Sequence, residues 1–280
     1  TLGTSFKDVI DIRGQGEDAR RRVQVLFDDV PINLLDNTHY FPGYNIFPSS
    51  SIESIEILPG GGSVIYGNGT QGGVVNILTN FRSEKSKPIN QVYAGIASYN
   101  TKRYAASLGN NFFNDKLFLQ LSYSGENNNA YLRGEKANTD FYSLATKVNL
   151  TNNQILGYSY SYYTEDGLFS GVVSKNKLDQ DFRASGILYP RTRKKEFHQV
   201  TYQAQFLDNL LIDNATFYTS GTWKNDQSGA VKGTFYDKIS GNKFKTKIFY
   251  APNQKSSLLV GSDLIKNYQK IELPKGNPFI

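Results

Sequence analysis

Residue types that do catalysis or bind metals are sparse in this chain and poorly spaced for either task. Its two histidines, His39 and His198, lie far apart, and it has no cysteine. A cysteine-based metal site and a disulfide framework are therefore excluded. No His-Glu-x-x-His or Gly-x-Ser-x-Gly constellation occurs. Asp28-Asp29 offers adjacent carboxylates, but neighbours at a strand end point to opposite sides, and a turn cap suits them better. Gly67-x-Gly69-x-x-Gly72 satisfies the dinucleotide fingerprint in letters only. A β-branched strand follows where that motif needs a helix. No Gly-Lys-Ser/Thr ends the run, so it is not a P-loop. Arg20-Arg21-Arg22 and Lys194-Lys195 are short basic groups without a nucleic-acid-binding fold signature. These residues indicate neither an enzyme nor a nucleic-acid binder.

The elements around them divide the chain. Val23 to Phe27 is a buried strand closed by Asp28-Asp29-Val30-Pro31, where proline forbids a further ladder donor. Leu34 to Ser51 has no period of 2 or 3.6, yet it carries His39, Tyr40, Phe41, Tyr44 and Phe47 among its turn residues. An aromatic-rich loop of this kind suits a binding surface or packs on its own core. Ile52 to Leu58 and Val74 to Thr79 are short strands flanking a segment crowded with glycine. Gly60, Gly61 and Gly62 permit backbone angles closed to other residues, and Ser63 can cap one helical turn through Tyr66.

From Gln91 the texture changes to alternating strands of about ten residues. Leu117, Leu119, Leu121 and Tyr123 alternate with Phe118, Gln120, Ser122 and Ser124. Leu156, Tyr158, Tyr160 and Tyr162 alternate with Gly157, Ser159, Ser161 and Tyr163. Asn114-Asp115, Asn152-Asn153, Asp208-Asn209 and Pro252-Asn253 make tight turns, and longer links near 127–138, 166–193 and 226–241 lie between them. About nine strands are expected, over 90–99, 102–112, 116–126, 139–150, 154–165, 195–207, 210–225, 242–251 and 256–270. Short turns on one side and long loops on the other are the outer-membrane barrel pattern. No apolar run approaches the roughly 18 residues of a membrane-spanning helix, which leaves a barrel open. Aromatics at 14% with a mean hydropathy of −0.46 fit outward tyrosines at a membrane interface. The net charge of +6 suits an anionic partner or a mildly basic surface.

Ile12-Arg13-Gly14, Val23-Gln24-Val25-Leu26-Phe27-Asp28-Asp29-Val30-Pro31 and the Ile52–Thr79 stretch resemble, in order, the plug motifs of TonB-dependent outer-membrane receptors. Asp29 stands where that family usually has glycine, and Gly61 near its usual proline. The Gly-Gly-Gly form is similar to the ferric citrate receptor branch. The resemblance implies a mixed α/β plug over residues 1–82 and antiparallel barrel strands over 83–280. Relatives close their barrels with about 22 strands. Nine cannot close one, and an open edge in lipid is not tolerated, so a portion of a longer receptor is expected.

The same resemblance implies an outer-membrane transporter of a Gram-negative bacterium, not an enzyme, that admits a ferric chelate such as ferric citrate or a siderophore. Receptors for haem, cobalamin or a nickel chelate, a passive pore, or a truncated remnant stay open as alternatives. Iron would be cargo within its chelate, with no cofactor. The implied partners are the chelate, outer-membrane lipid and a TonB-type protein acting through a segment ahead of residue 1, with no nucleic acid. An anionic chelate calls for guanidinium, aromatic and amide groups. The candidates are Arg20, Arg21 and Arg22 and, in the loop, Asn37, His39, Tyr40, Tyr44 and Asn45. Strand alternation would let only one or two of the three arginines face the ligand. Arg13, Glu53 and Glu56 match family positions that make charged contacts between plug and barrel wall.

Overall fold

The structure is a computed structural model that describes residues 10–16, 19–33, 52–60, 63–67, 69–82, 87–206, 209–226, 232–250 and 256–274. Two sheets account for nearly all of the regular backbone. The first has the order β2-β1-β4-β3, from β1 (Val23–Phe27), β2 (Val30–Pro31), β3 (Ile52–Leu58) and β4 (Gly73–Thr79). One helical turn, α1 (Ala19–Arg22), leads into β1, and α2 (Ser63–Tyr66) falls on the turn that Ser63 was expected to open.

β1 lies parallel to β4, Val23 beside Gly73 and Phe27 beside Ile77, and β3 runs antiparallel on the far side of β4. β1 and β4 are apolar almost throughout because each has a strand on both sides and packing on both faces. β1 returns to β2 through a two-residue turn in which Asp28 and Asp29 have φ of 48° and 68°. Positive φ at both central residues is the type I′ signature, and aspartate tolerates it better than most side chains. The chain thus keeps, with Asp29, the left-handed backbone that glycine would supply. Gly73, at φ +147°, has no such substitute. A Cβ there would lie 2.7 Å from the Leu58 carbonyl oxygen and 2.9 Å from Ile12 Cδ1.

The second sheet is a nine-stranded antiparallel meander, each strand bonded to the next in sequence. Its strands are β5 (Ile89–Ala97), β6 (Thr101–Phe112), β7 (Leu117–Asn128), β8 (Lys136–Thr151), β9 (Gln154–Ser170), β10 (Leu188–Phe206), β11 (Leu210–Asn225), β12 (Gly233–Tyr250) and β13 (Ser256–Glu272). The strand number agrees with the sequence expectation, but the long-loop ends differ. β10 starts at Leu188 where 195 was expected, β12 at Gly233 where 242 was, and β9 runs on to Ser170. At that end both faces are polar or mixed, so alternation fades although the ladder continues. The longest connection, 171–187, carries the short helix α3 (Lys175–Gln180).

The expected faces are present. Outward rings form two ladders: Tyr104–Tyr123–Tyr142–Tyr162, with centroids 5.9, 4.9 and 6.5 Å apart, and Tyr160–His198–Tyr218, at 4.8 and 6.2 Å. The opposite face buries Ser107, Gln120, Ser161, Gln199 and Thr201. It also closes the core of the first sheet. Phe141, Tyr163 and Phe197 from β8–β10 cluster with Ala19, Val23, Val25, Phe27, Val75 and Ile77.

Candidate functional site

The 28–29 turn touches both units. Asp28 is fully buried, and its carboxylate accepts from the Thr79 backbone N–H and hydroxyl, each at 2.8 Å. Asp29 accepts from Asn76 Nδ2 at 2.8 Å and from Arg82 Nη2 at 2.7 Å. Asp28-Asp29 is therefore the turn cap that its sequence suggested, with an added cation. Arg82 also reaches Asp213 on β11 at 2.8 Å, so one guanidinium ties the turn to the wall. Other wall groups bind backbone directly: Gln199 Nε2 donates to the Asp28 carbonyl at 2.9 Å, and Lys243 Nζ to that of Asp29 at 3.1 Å. Just past β4, Asn80 Nδ2 lies 3.3 Å from Gln120 Oε1, and Lys147 Nζ is 3.4 Å from the Asn80 carbonyl oxygen. Phe81 presses on the wall at Gly157, where a Cβ would lie 2.9 Å from its ring.

Burial sets the electrostatics here. Desolvation pushes the Asp28 carboxyl up to about 6, although the Thr79 bonds and Arg82 oppose it. Burial would raise Asp29 too, but Arg82, Lys245, Asn76 and Lys243 together hold it below its ordinary range. Arg82 loses solvation, yet Asp29 and Asp213 raise its affinity for the proton further.

Asp28 thus takes up its proton at higher pH in the folded chain than in the unfolded one. Its contribution to stability is full below about pH 4 and is lost as pH rises through about 6. Asp28→Asn should abolish this slope, because the amide can accept from the Thr79 N–H and donate to its hydroxyl. Denaturant midpoints at pH 4.5 and 7.5 should show the parent losing about 2 kcal/mol relative to the variant. Equal slopes would show that Asp28 does not titrate in this range.

Nearer the long loops, the inner face of β9–β12 carries a second group. Arg191, Arg193 and Lys195 stand at alternate positions of β10. The Arg191 guanidinium lies over Phe169, Tyr189 and Trp223, at 4.8, 5.5 and 5.1 Å from their centroids. Lys195 pairs with Asp237 at 3.0 Å, and Tyr163 donates to the fully buried Glu165 at 2.8 Å. The period-two Arg-x-Arg-x-Lys spacing was the signal for this wall, but the strand was expected to begin only at 195. The connecting loops above are stitched together. Arg183 stacks on Tyr99 and Tyr131 at 4.9 and 5.7 Å, and Arg133 bonds Asp181 at 2.6 Å.

The sequence-derived candidates fall in separate places. Asn37, His39, Tyr40, Tyr44 and Asn45 lie outside the described residues. Arg20, Arg21 and Arg22 sit on the helical turn α1. Strand alternation therefore does not sort them, and helical rotation spreads successive residues around an axis. The Arg22 carbonyl accepts from Gly72 N–H at 2.7 Å. Arg13 donates to the Pro59 carbonyl at 3.3 Å and covers Gly60, within the first unit. Glu53 is 3.9 Å from Lys87, just ahead of β5, while Glu56 is exposed opposite Asn76.

Residues 2–74 match the family model described as the TonB-dependent Receptor Plug Domain. That segment of the chain is a plug domain of the TonB-dependent receptor kind. It is 35% identical over 101 residues to the probable TonB-dependent siderophore receptor PirA of Acinetobacter baumannii, covering 33% of this chain and 12% of that protein. The unliganded ferric citrate transporter FecA matches with a TM-score of 0.72 and 17% identity, over 92% of this chain and 42% of its own. Pseudomonas aeruginosa FpvA, solved with pyoverdine and iron, matches with a TM-score of 0.71 and 12% identity, over 96% and 38%. At these identities the solved structures establish the fold. The chain spans well under half the length of each. Within the family, the first sheet is the plug, the second is part of the barrel, and the Asp28–Asp29–Arg82–Asp213 group joins them in the outer membrane of a Gram-negative bacterium.

Proposed function

We propose that this chain supplies the plug, over 1–82, and part of the barrel, over 83–280, of an active transporter that admits a ferric chelate. The cargo is ferric citrate or a siderophore, and a TonB-type protein pulling on the plug releases it. The observation that carries this reading is the inner wall of β9–β12, where the Arg191 guanidinium lies over Phe169, Tyr189 and Trp223, with the buried Arg193 and Lys195 following it on the same face of β10. Guanidinium groups take chelate carboxylates or catecholates in bidentate fashion, and aromatic walls complete a partly dry pocket. The names of the relatives, a siderophore receptor and a ferric citrate transporter, support the same class. In this reading Arg20, Arg21, Arg22, Asn37, His39, Tyr40, Tyr44 and Asn45 provide the plug side of the ligand surface. Arg13, Glu53 and Glu56 add to the charged hold on the barrel, and iron passes as cargo within its chelate.

Uptake of labelled ferric citrate, a ferric siderophore, haem and nickel by a deletion strain carrying the native gene or its Arg191→Ala form tests the reading. The native gene should restore one ferric chelate, and Arg191→Ala should lower that uptake at least tenfold at limiting chelate. Restoration of haem or nickel uptake alone, or of none, would overturn it.

A further inference from the structure

The wall groups that hold the 28–29 turn are part of a longer cationic row. On β12, Lys243, Lys245 and Lys247 stand at alternate positions, on the face that also carries Asp237 and Ile239. That face is the lumenal one, since Ile239 clusters with Val30 of the plug and Lys243 reaches the Asp29 carbonyl. The row continues the cationic wall of β10, because Lys195 spans β11 to meet Asp237. From Lys243 it runs away from the long loops, in steps of roughly 7 Å along the strand. The outward positions of the same stretch, Asn242, Phe244, Thr246 and Ile248, are uncharged. Lumenal side chains are where a barrel sets its selectivity for a solute.

The plug fills this row with acceptors of its own. Gln199 Nε2 donates to the Asp28 carbonyl at 2.9 Å, and Lys243 Nζ to the Asp29 carbonyl at 3.1 Å. Lys243 and Lys245 also favour the ionised Asp29 carboxylate, and the Lys245 ammonium lies 5.8 Å from the Tyr66 ring centroid. Wall carboxylates answer only part of the charge. Asp263 pairs with Lys243 at 3.3 Å, and Asp213, opposite Lys245 in register, is taken by Arg82. Lys247 has Leu211 and Leu259 as its register partners. A plug drawn from the wall takes Asp29, both carbonyls and Arg82 with it. Three lysines then face two aspartates, and the donors of Gln199 and Lys243, buried until then, need new acceptors.

The carboxylates or catecholates of a ferric chelate are acceptors of the same kind as the turn's carboxylate and carbonyls. We propose that Gln199, Lys243, Lys245 and Lys247 form a transit site for an anionic ferric chelate, occupied by the plug's own 28–29 turn until the plug is drawn away. The inference rests on the transport reading above and gives the cargo a route, along β12 and not through the centre of the plug. At rest the turn stands in for the cargo and keeps the wall neutralised. Its withdrawal bares the donors when the cargo leaves the outer pocket. A row of several such sites, each weak, lets a charged solute enter and still leave.

The test uses the full-length receptor in cells lacking the chromosomal copy, with labelled ferric citrate and a labelled ferric catecholate siderophore as probes. Chilled, de-energised cells read binding at the outer pocket, and energised cells read uptake. For the probe that the parent imports, Lys245→Gln/Lys247→Gln should lower the maximal uptake rate at least fivefold, with surface binding within twofold of the parent. Lys245→Arg/Lys247→Arg should keep more than half of the parental rate, because it keeps the charge. Lys238→Gln, exposed on the outward face of β12, should change neither. Antibiotic sensitivity and heat-modified gel mobility report whether plug and barrel stay in place. If the double Gln variant does not assemble, Lys247→Gln alone should still lower the rate at least twofold. Parental uptake by the assembled Gln variants, or an equal loss in the Arg form, would overturn the transit site and leave the transport reading standing. A matching loss of surface binding would assign the lysines to the outer pocket and overturn it too. A parent that binds and imports neither probe would overturn both readings.

Discussion

Arg82→Met is expected to loosen the plug from the wall at a cost of about 3–5 kcal/mol, the range for removing one partner of a buried charge group. The cost follows from what stays behind. Asp29 and Asp213 lie 2.7 and 2.8 Å from the same guanidinium nitrogen, and Asp28 is buried alongside. Methionine fills much of the volume but leaves several carboxylates facing one another with their cation gone. Asp29 keeps only its Asn76 amide bond, with Lys243 and Lys245 contributing from farther off. Asp213→Asn should cost far less, because that side chain is 31% exposed and water can solvate it. Arg82→Met/Asp29→Asn should recover more than half of the Arg82→Met loss, since a neutral amide no longer needs a cation. Denaturant unfolding of the native protein reads the stability, and sensitivity to a hydrophilic antibiotic too large for ordinary pores reads plug displacement. Arg82→Met should raise that sensitivity. An Arg82→Met protein with parental midpoint and parental sensitivity would falsify the latch.

Which parts of this arrangement were legible in the sequence depended on whether the signal was local. The type I′ turn was marked by Asp28-Asp29 between apolar runs, and the hairpins by Asn114-Asp115 and Asn152-Asn153. The lipid-facing alternation of β7 and β9 was plain because one environment lies on each face. Above the ring ladders that contrast vanishes, so the upper reach of β10, with Arg191 and Arg193, looked like loop. The latch was hidden for another reason. Arg82 and Asp213 are separated by 131 residues, and Arg82 stands after β4 in a segment with no period. Nothing local distinguishes it from a surface arginine. The candidates Arg13, Glu53 and Glu56 came from motif positions alone, and of these Glu53 approaches the start of the barrel strands, at Lys87.

The pair inside the upper barrel should respond differently, and the difference separates a wall brace from a plug latch. Lys195 and Asp237 are on β10 and β12, with β11 between them. They meet at 3.0 Å because the residue between them in register, Gly221, has no side chain. A Cβ at Gly221 would collide with the Asp237 carboxylate, so the glycine is what lets the pair bridge over a strand. Both side chains are at most 7% exposed; Lys195 bonds Asp237 Oδ2, and Oδ1 has no hydrogen-bond partner among the described residues. Lys195→Met should therefore destabilise the barrel by about 3–5 kcal/mol, by stranding a buried carboxylate. Gly221→Ala should cost at least about 1–3 kcal/mol, because the carboxylate must shift and the pair stretches. Lys195→Met/Asp237→Leu should return close to the parent, since a buried ion pair exceeds a well-packed apolar pair by little or nothing. Because the brace holds wall to wall, none of these variants should change antibiotic sensitivity at permissive temperature. Heat-modified gel mobility and denaturant midpoints read the first effect, and the antibiotic assay reads the second. A Lys195→Met protein that admits antibiotic while keeping its barrel midpoint would place the pair in the plug's hold and not in the wall.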